Sequence, residues 1–153
     1  MKKVILLDMD GTITPPRKPI EVDMVKKLDE ILFADIHLGI VTGSNLEYMQ
    51  EQLNSWEKFK LSHRNLHILP CNGLEYWRAS KCIYRKNMRD LYSKTEWDWL
   101  MHDINSADKR MRLSLGGKDI RIPEKFIYER GSMINWCPIG RDATIFGRES
   151  FVQ

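Results

Sequence analysis

Two carboxylates spaced i and i+2, Asp8 and Asp10, stand directly after the apolar run Val4-Ile5-Leu6-Leu7 and directly before Gly11-Thr12. Side chains two apart on an extended chain point the same way, so the pair is expected to converge where a strand runs out. Four consecutive apolar residues predict a short strand buried on both faces, the pattern of an inner parallel strand. In open α/β sheets ligands bind at the carboxyl ends of the strands. Two like charges held together repel, and a cation joining them relieves the cost. The expected chemistry is therefore Mg²⁺ held by Asp8 and Asp10 beside a phosphorylated ligand. Asp and Gly as plain turn formers are the simpler reading. Placement immediately after a buried strand favours chemistry.

The elements that must position this pair follow in order. Ile13–Pro19 is a loop stiffened by three prolines, and its Arg17 lies seven residues past Asp10, within reach of a phosphate. Apolar residues of Glu21–Phe33 fall on helical spacing. Leu38–Val41 reads as a second buried strand, and Leu46, Met49 and Leu53 start a second helix. Between them, Thr42-Gly43-Ser44-Asn45 is a natural phosphate seat, where backbone N–H groups and a hydroxyl meet a helix end. Ser44, or alternatively Thr42, supplies the hydroxyl, and simple N-capping by Ser44 is compatible with that role. Leu66–Leu69 is a third strand, ended by Pro70-Cys71-Asn72-Gly73. The alternation of strand and helix predicts a parallel, doubly wound α/β core over residues 1–75.

Residues 76–153 change in kind. Lys81–Arg85 reads as a strand, Thr95–Asn105 as a helix with a packing face of Trp97, Leu100, Met101 and Ile104. Arg110–Leu115 and Asp119–Ile122 flank Gly116-Gly117 and read as a hairpin. Phe126–Tyr128 and Met133–Trp136 read as two more strands, giving a separate α+β layer inserted after the third core strand. His37, His63, His67 and His102 are isolated in the sequence, so each is expected to be a packed or half-exposed residue without a partner. The three cysteines are odd in number and lack Cys-x-x-Cys spacing, which suits a reduced, cytoplasmic protein and argues against zinc.

Composition sets the outer bounds. The 153 residues, 42% hydrophobic and 29% charged, are ordinary for a globular protein. No apolar run approaches the roughly 20 residues of a membrane helix. The net charge of +3 is uneven: nine Lys/Arg meet eleven Asp/Glu in residues 1–75, fifteen meet ten in 76–153. A basic half beside an acidic metal site suits a polyanionic ligand. Nucleic acid is a minor rival, since no dense basic run or binding module is present.

Arginine clamps phosphate bidentately, and Arg130, Arg141 and Arg148 are expected near successive strand ends, although scattered surface arginines would read the same on spacing alone. Asp8-Met9-Asp10-Gly11-Thr12 resembles the first motif of the haloacid dehalogenase (HAD) superfamily. The stretch Arg130-Gly131-Ser132-Met133-Ile134-Asn135, followed by Pro138-Ile139-Gly140-Arg141, resembles the cap motif of eukaryotic-type phosphomannomutases within that superfamily. The likeness implies a Rossmann-like HAD core with an inserted α+β cap. It also implies interconversion of mannose 6-phosphate and mannose 1-phosphate through a hexose bisphosphate, in the service of GDP-mannose synthesis. By the same likeness Asp8 is the nucleophile, Asp10 the acid/base and Mg²⁺ the cofactor. Ser44 then holds the transferred phosphate, Arg17 is a core substrate contact, and Arg130, Arg141 and Arg148 bind phosphate from the cap.

The departures from that family set the alternatives. Its lysine and further acidic cluster, carried by a return to the core, have no counterpart in these residues, so the chain reads as the N-terminal portion of such an enzyme. A sugar-phosphate phosphatase of the same superfamily is one alternative. A truncated or split, non-catalytic sugar-phosphate-binding chain is another. The partners expected are mannose phosphates and hexose bisphosphate, with a homodimer through the cap or a complementing C-terminal chain.

Overall fold

The computed structural model describes residues 3–56, 62–114, 126–140 and 143–152. The chain divides into two compact units, Met1–Lys86 and Asn87–Gln153. The first unit runs β1 (Val4–Asp8), α1 (Val22–Phe33), β2 (His37–Val41), α2 (Leu46–Gln52), β3 (Leu66–Leu69), β4 (Glu75–Arg78) and β5 (Lys81–Arg85). Its sheet is ordered β1-β2-β3-β4-β5. The first three strands are parallel and the β4–β5 hairpin adds antiparallel. This is the Rossmann-like α/β half-core expected, with one difference of extent. The hairpin from Glu75 to Arg85 belongs to the core sheet, so the compact unit ends at Lys86 and not at residue 75.

Alternation along the strands gives the sheet two unlike faces. On one face Leu38, Ile40, Leu66 and Ile68 are buried together with Leu28 and Leu32 of α1 and Met49 of α2, and Leu53 and Trp56 complete the cluster. Ile5 and Leu7 pack against it from β1. The other face carries Val4, Leu6, His37, His67 and Tyr76, and no described helix of this unit covers it. Val4 and Leu6 are 61% and 63% exposed. The expectation that β1 is an inner strand buried on both sides is therefore corrected: among the described residues β1 is the edge of the sheet, paired with β2 alone. Its continuous apolar run is real, but what lies beyond β1 decides whether both faces are buried. A doubly wound arrangement, with helices on both faces, is likewise not found among the described residues.

The second unit contains α3 (Lys94–Ser114), the antiparallel hairpin β6 (Ile127–Glu129) and β7 (Ile134–Trp136), and α4 (Ile145–Val152). Here the expected hairpin of Arg110–Leu115 is corrected. Residues up to Ser114 continue α3, and the remainder of that stretch, 115–125, lies outside the described residues. The helix runs on because Asp108 and Arg112 pair one turn apart on its inner side. Asp108 is 1% exposed and also accepts from the Trp136 indole N–H at 3.0 Å. Arg112 in turn lies 4.3 Å over the ring of Phe126. One ion pair thus ties the long helix to both flanks of the β6–β7 hairpin.

That tie makes a stability prediction. Removing one partner of a buried ion pair costs about 3–5 kcal/mol, because the other charge stays buried. Asp108→Ala is expected to lower the unfolding free energy of the second unit by that amount, read as a fall in the urea midpoint. Asp108→Asn, which keeps an acceptor for the Trp136 indole, is expected to lower it less.

Candidate functional site

The site grows from the end of β1. Asp8 is the last residue of the strand and pairs in register with Val41, the last residue of β2. The chain after Val41 turns at once through Thr42, Gly43 and Ser44, so the first carboxylate and this turn sit at the same end of the sheet. Asp10 lies in a tight loop whose pivot is Met9. The Met9 side chain is fully buried. Its carbonyl accepts from the N–H groups of Thr12, Ile13 and Thr14 at 3.3, 3.1 and 3.0 Å, and from the Thr14 hydroxyl at 3.2 Å. Gly11 closes the loop, donating to the Thr14 carbonyl at 2.7 Å with φ +83°, a conformation that favours glycine.

Asp10 is oriented from two sides. Its Oδ1 accepts from the Arg17 backbone N–H at 3.3 Å and from the Tyr48 hydroxyl of α2 at 3.4 Å. These are long bonds that steer rather than clamp. Oδ2 makes no bond to the described residues and stays available. Arg17 reaches the site through its backbone, in a left-handed conformation (φ 61°), while its side chain is exposed. Ser44 does not cap α2. Asn45 does, accepting from the Tyr48 N–H at 3.3 Å. The Ser44 N–H instead donates to the Thr42 hydroxyl at 3.1 Å, leaving the Ser44 hydroxyl without a bond to the described residues.

The Thr42–Ser44 turn is braced from the following strand. After β3, Cys71–Gly73 forms a short 3₁₀ turn. The Cys71 N–H donates to the Ser44 carbonyl and the Asn72 N–H to the Thr42 carbonyl, both at 2.8 Å. Asn72 holds a left-handed conformation (φ 56°), and its side chain lies so close to Gly43 that an added Cβ there would come within 3.3 Å. Gly43 is the small residue that lets the two turns approach.

In the second unit, Arg130 follows β6 and is half-buried, with its N–H donating to the Met133 carbonyl at 2.8 Å. Arg148 lies on α4, its Nε donating to the Ala143 carbonyl at 3.2 Å. The expectation of three arginines at successive strand ends is thus corrected for Arg148, which a helix presents. Arg141 lies outside the described residues.

Sequence reasoning missed Met9, Tyr48 and Asn72 as parts of this site. Met9 was passed over as the variable residue between two acids, though an apolar side chain there signals a buried pivot. Tyr48 stands beside the periodic residues Leu46 and Met49, and a hydroxyl-bearing aromatic in the first turns of a helix that follows a phosphate-seat turn is the signal for it. His37, His63 and His67 are half-exposed, as expected, but the expectation that His37 and His67 lack a partner is corrected. His37 and His67 bond to each other at 2.8 Å across β2 and β3. Partners on neighbouring strands depend on register, which no spacing within one strand reveals.

The donor set fits Mg²⁺. That ion takes oxygen ligands, with one or two carboxylates supplemented by waters and substrate phosphates. Asp8 is exposed and Asp10 half-exposed with one oxygen available. Among the described residues no group of three or more His, Cys, Asp or Glu side chains is arranged to hold a metal, so two carboxylates are what those residues offer. None of the three cysteines forms a disulfide. No described helix is long and apolar enough to cross a membrane.

Comparison with known proteins gives a consistent result. A phosphomannomutase of Drosophila melanogaster is 31% identical over 159 residues, covering 98% of this chain and 56% of that protein. Phosphomannomutase 1 of Mus musculus is 27% identical over 151 residues, covering 97% and 53%. The IMP-nucleotidase of Plasmodium falciparum resembles this structure with a TM-score of 0.57 at 14% identity, over 87% of this chain and 38% of that one, a likeness of fold alone. The chain spans about half the length of the curated relatives it matches. The eukaryotic phosphomannomutase pattern matches residues 24–153, beginning after the Asp8–Asp10 motif. With a match over most of its length, the chain belongs to the eukaryotic phosphomannomutase family.

Proposed function

We propose that this chain carries the nucleophile and acid/base of a phosphomannomutase-like phosphotransferase, interconverting mannose 6-phosphate and mannose 1-phosphate through an aspartyl phosphate. The supply of GDP-mannose in the cytoplasm is the setting proposed for it. The observation that carries this reading is Asp8 at the tip of a parallel strand, level with the residue before the Thr42–Ser44 turn.

In the proposed reaction an oxygen of Asp8 bonds to phosphorus as the bond from phosphorus to the sugar oxygen breaks. Asp10 gives its proton to that departing oxygen, and later takes the proton of the sugar hydroxyl that attacks the aspartyl phosphate. The Arg17 amide and Tyr48 hydroxyl steer the Asp10 carboxylate, and the Ser44 hydroxyl holds a phosphate oxygen. Arg130, Arg141 and Arg148 are the groups proposed to bind the second phosphate, where guanidinium gives bidentate hold. Asp8 and Asp10 would hold Mg²⁺, which when bound offsets the repulsion between carboxylate and phosphate.

The test is to incubate the chain with Mg²⁺, mannose 1-phosphate and a hexose bisphosphate, and to follow the products by phosphorus NMR. Mannose 6-phosphate is expected. Release of inorganic phosphate alone would identify a phosphatase, and binding without turnover would identify a sugar-phosphate-binding chain. Asp8→Asn is expected to lower turnover by at least about 10³-fold. Arg141→Ala is expected to raise KM roughly ten-fold or more with little change in kcat, the loss of a charged hydrogen bond.

A complementing polypeptide is the partner proposed. Support comes from β1, which is bonded on one side only and shows Val4 and Leu6 on the uncovered face. An unpaired edge strand is a template for another strand. The segment of the Drosophila relative beyond the matched part, added in excess, is expected to slow amide exchange in β1 and raise the melting temperature. Unchanged exchange in β1 would exclude pairing at this edge.

A further inference from the structure

Four rings cross the uncovered face of the sheet, one from each of β2, β3, β4 and β5. The centroids of His37 and His67 are 5.1 Å apart, those of His67 and Tyr76 5.8 Å in a stacked pair, and those of Tyr76 and Tyr84 5.9 Å. The row borders a groove of about 290 Å³ whose other walls are Val4, Leu6 and Leu69. Within it, His37 Nδ1 and His67 Nε2 are 2.8 Å apart, and His67 Nδ1 and the Tyr76 hydroxyl 2.7 Å apart.

These distances restrict where protons can be. Only one proton fits between His37 Nδ1 and His67 Nε2, because two N–H groups cannot face each other at 2.8 Å. With both rings neutral, the chain can run from His37 to His67 to Tyr76, each nitrogen donating onward, or the reverse. A first added proton is accommodated without breaking a bond. It goes to Nε2 of His37, which has no partner among the described residues, while His37 Nδ1–H still donates to His67. A second proton has only His67 Nε2 left to occupy, and there it must break the bond between the strands.

We propose that His37, His67 and Tyr76 form an acid-operated clasp across β2, β3 and β4, closed while the two imidazoles share one proton and opened by the second. The charges around it oppose a proton on His67. Asp35, at the entry to β2, lies on the His37 side. Its carboxyl is held below the usual range by the Asn65 amide first, then by Arg64, with a smaller contribution from His37. Arg78 of β4 is paired in register with His67 and repels a charge there. Arg64 and Lys3 line the polar hollow beside His37 that Asp35 also borders. Val4 and Leu6 of β1 bring no charge to this face, and Asp8, the third β1 residue on it, stands at the far end of the strand, level with Val41 rather than His37. Tyr84 is neutral and donates its hydroxyl to the Gly73 carbonyl at 2.6 Å. Burial, then Arg78, then His37, push the His67 imidazole below its ordinary value.

The sign follows from that depression. Folded His67 binds its proton more weakly than the unfolded chain does. The stability it contributes is therefore whole above the ordinary imidazole value of ~6.5 and is lost as pH falls below that toward the folded value. The clasp does not depend on the phosphoryl-transfer reading, since neither imidazole contacts Asp8, Asp10 or Ser44.

The experiment is a titration of the chain labelled with ¹⁵N-histidine, read by imidazole NMR from pH 8 to 4.5. His67 is expected to take up its second proton below the ordinary value, with loss of the signature of the shared hydrogen bond. In His37→Gln and in Arg78→Gln the His67 midpoint is expected to rise. His67→Gln, which keeps a donor and an acceptor but cannot titrate, is expected to lose less melting temperature between pH 7 and 5 than the native chain. Independent titration of the two rings, a His67 midpoint unmoved by His37→Gln, or equal acid loss in His67→Gln would each overturn the clasp.

Discussion

Everything at the candidate site hangs on Met9. The residue between the two carboxylates is fully buried, and its carbonyl gathers four donors from the five residues that follow. A buried side chain in a close-packed interior resists displacement, and a carbonyl so heavily used cannot rotate without breaking several bonds. Asp8 and Asp10 therefore hang from one fixed point, one at the strand tip and one in the loop. Their repulsion does not unfold the turn, because the turn is held by bonds that involve neither carboxylate. The Tyr48 and Arg17 contacts act only after this, trimming the direction of Asp10. Preorganisation of this kind is what electrostatic catalysis requires of its supporting shell.

The fixed point depends in turn on the buried face of the sheet. Met9 belongs to the same cluster as Leu38, Ile40, Leu66 and Ile68, against which α1 and α2 pack. The opposite face makes no such demand, and its composition differs accordingly. There the row of imidazole and phenol rings takes the place of aliphatic packing, joined by short hydrogen bonds and ring contacts instead of burial. At its far end the Tyr84 hydroxyl bonds Gly73, and the same 3₁₀ turn holds the carbonyls of Thr42 and Ser44. The two faces thus support the same end of the sheet by different means, one by exclusion of water, the other by a polar contact.

Much of this was legible in the sequence, for definite reasons. The strands β1, β2 and β3 are short apolar runs bounded by turn residues, and period and punctuation alone mark them. The two carboxylates, the Thr42–Ser44 turn and the Asn72-Gly73 turn could be read because their meaning is local. What failed was non-local. That β1 is an edge depends on its neighbours, and a run of Val, Ile and Leu reads alike in the middle of a sheet and at its border. The pairing of His37 with His67 depends on the register of β2 against β3, which places Gly39 opposite His67. The end of α3 was misplaced because Arg110–Ser114 has little apolar periodicity. Its helical state is set by the Asp108–Arg112 pair, and the partners of that pair, Trp136 for the carboxylate and Phe126 for the guanidinium, belong to the hairpin region further along the chain.

The same distinction explains why the arginines are harder to assign than the aspartates. A carboxylate at a strand tip is placed by the strand, since its side chain is short and the backbone fixes its origin. An arginine has a long stem and can reach a phosphate from a strand end, a turn or a helix. Arg130 and Arg148 show this within one unit, the first following β6 and the second carried by α4, although both stood in one continuous stretch of family likeness. Motif spacing therefore constrains which arginines belong together more tightly than it constrains the element each one stands on. For Asp8 the element and the chemistry are inseparable, because moving it by one residue along the strand would turn it to the other face of the sheet.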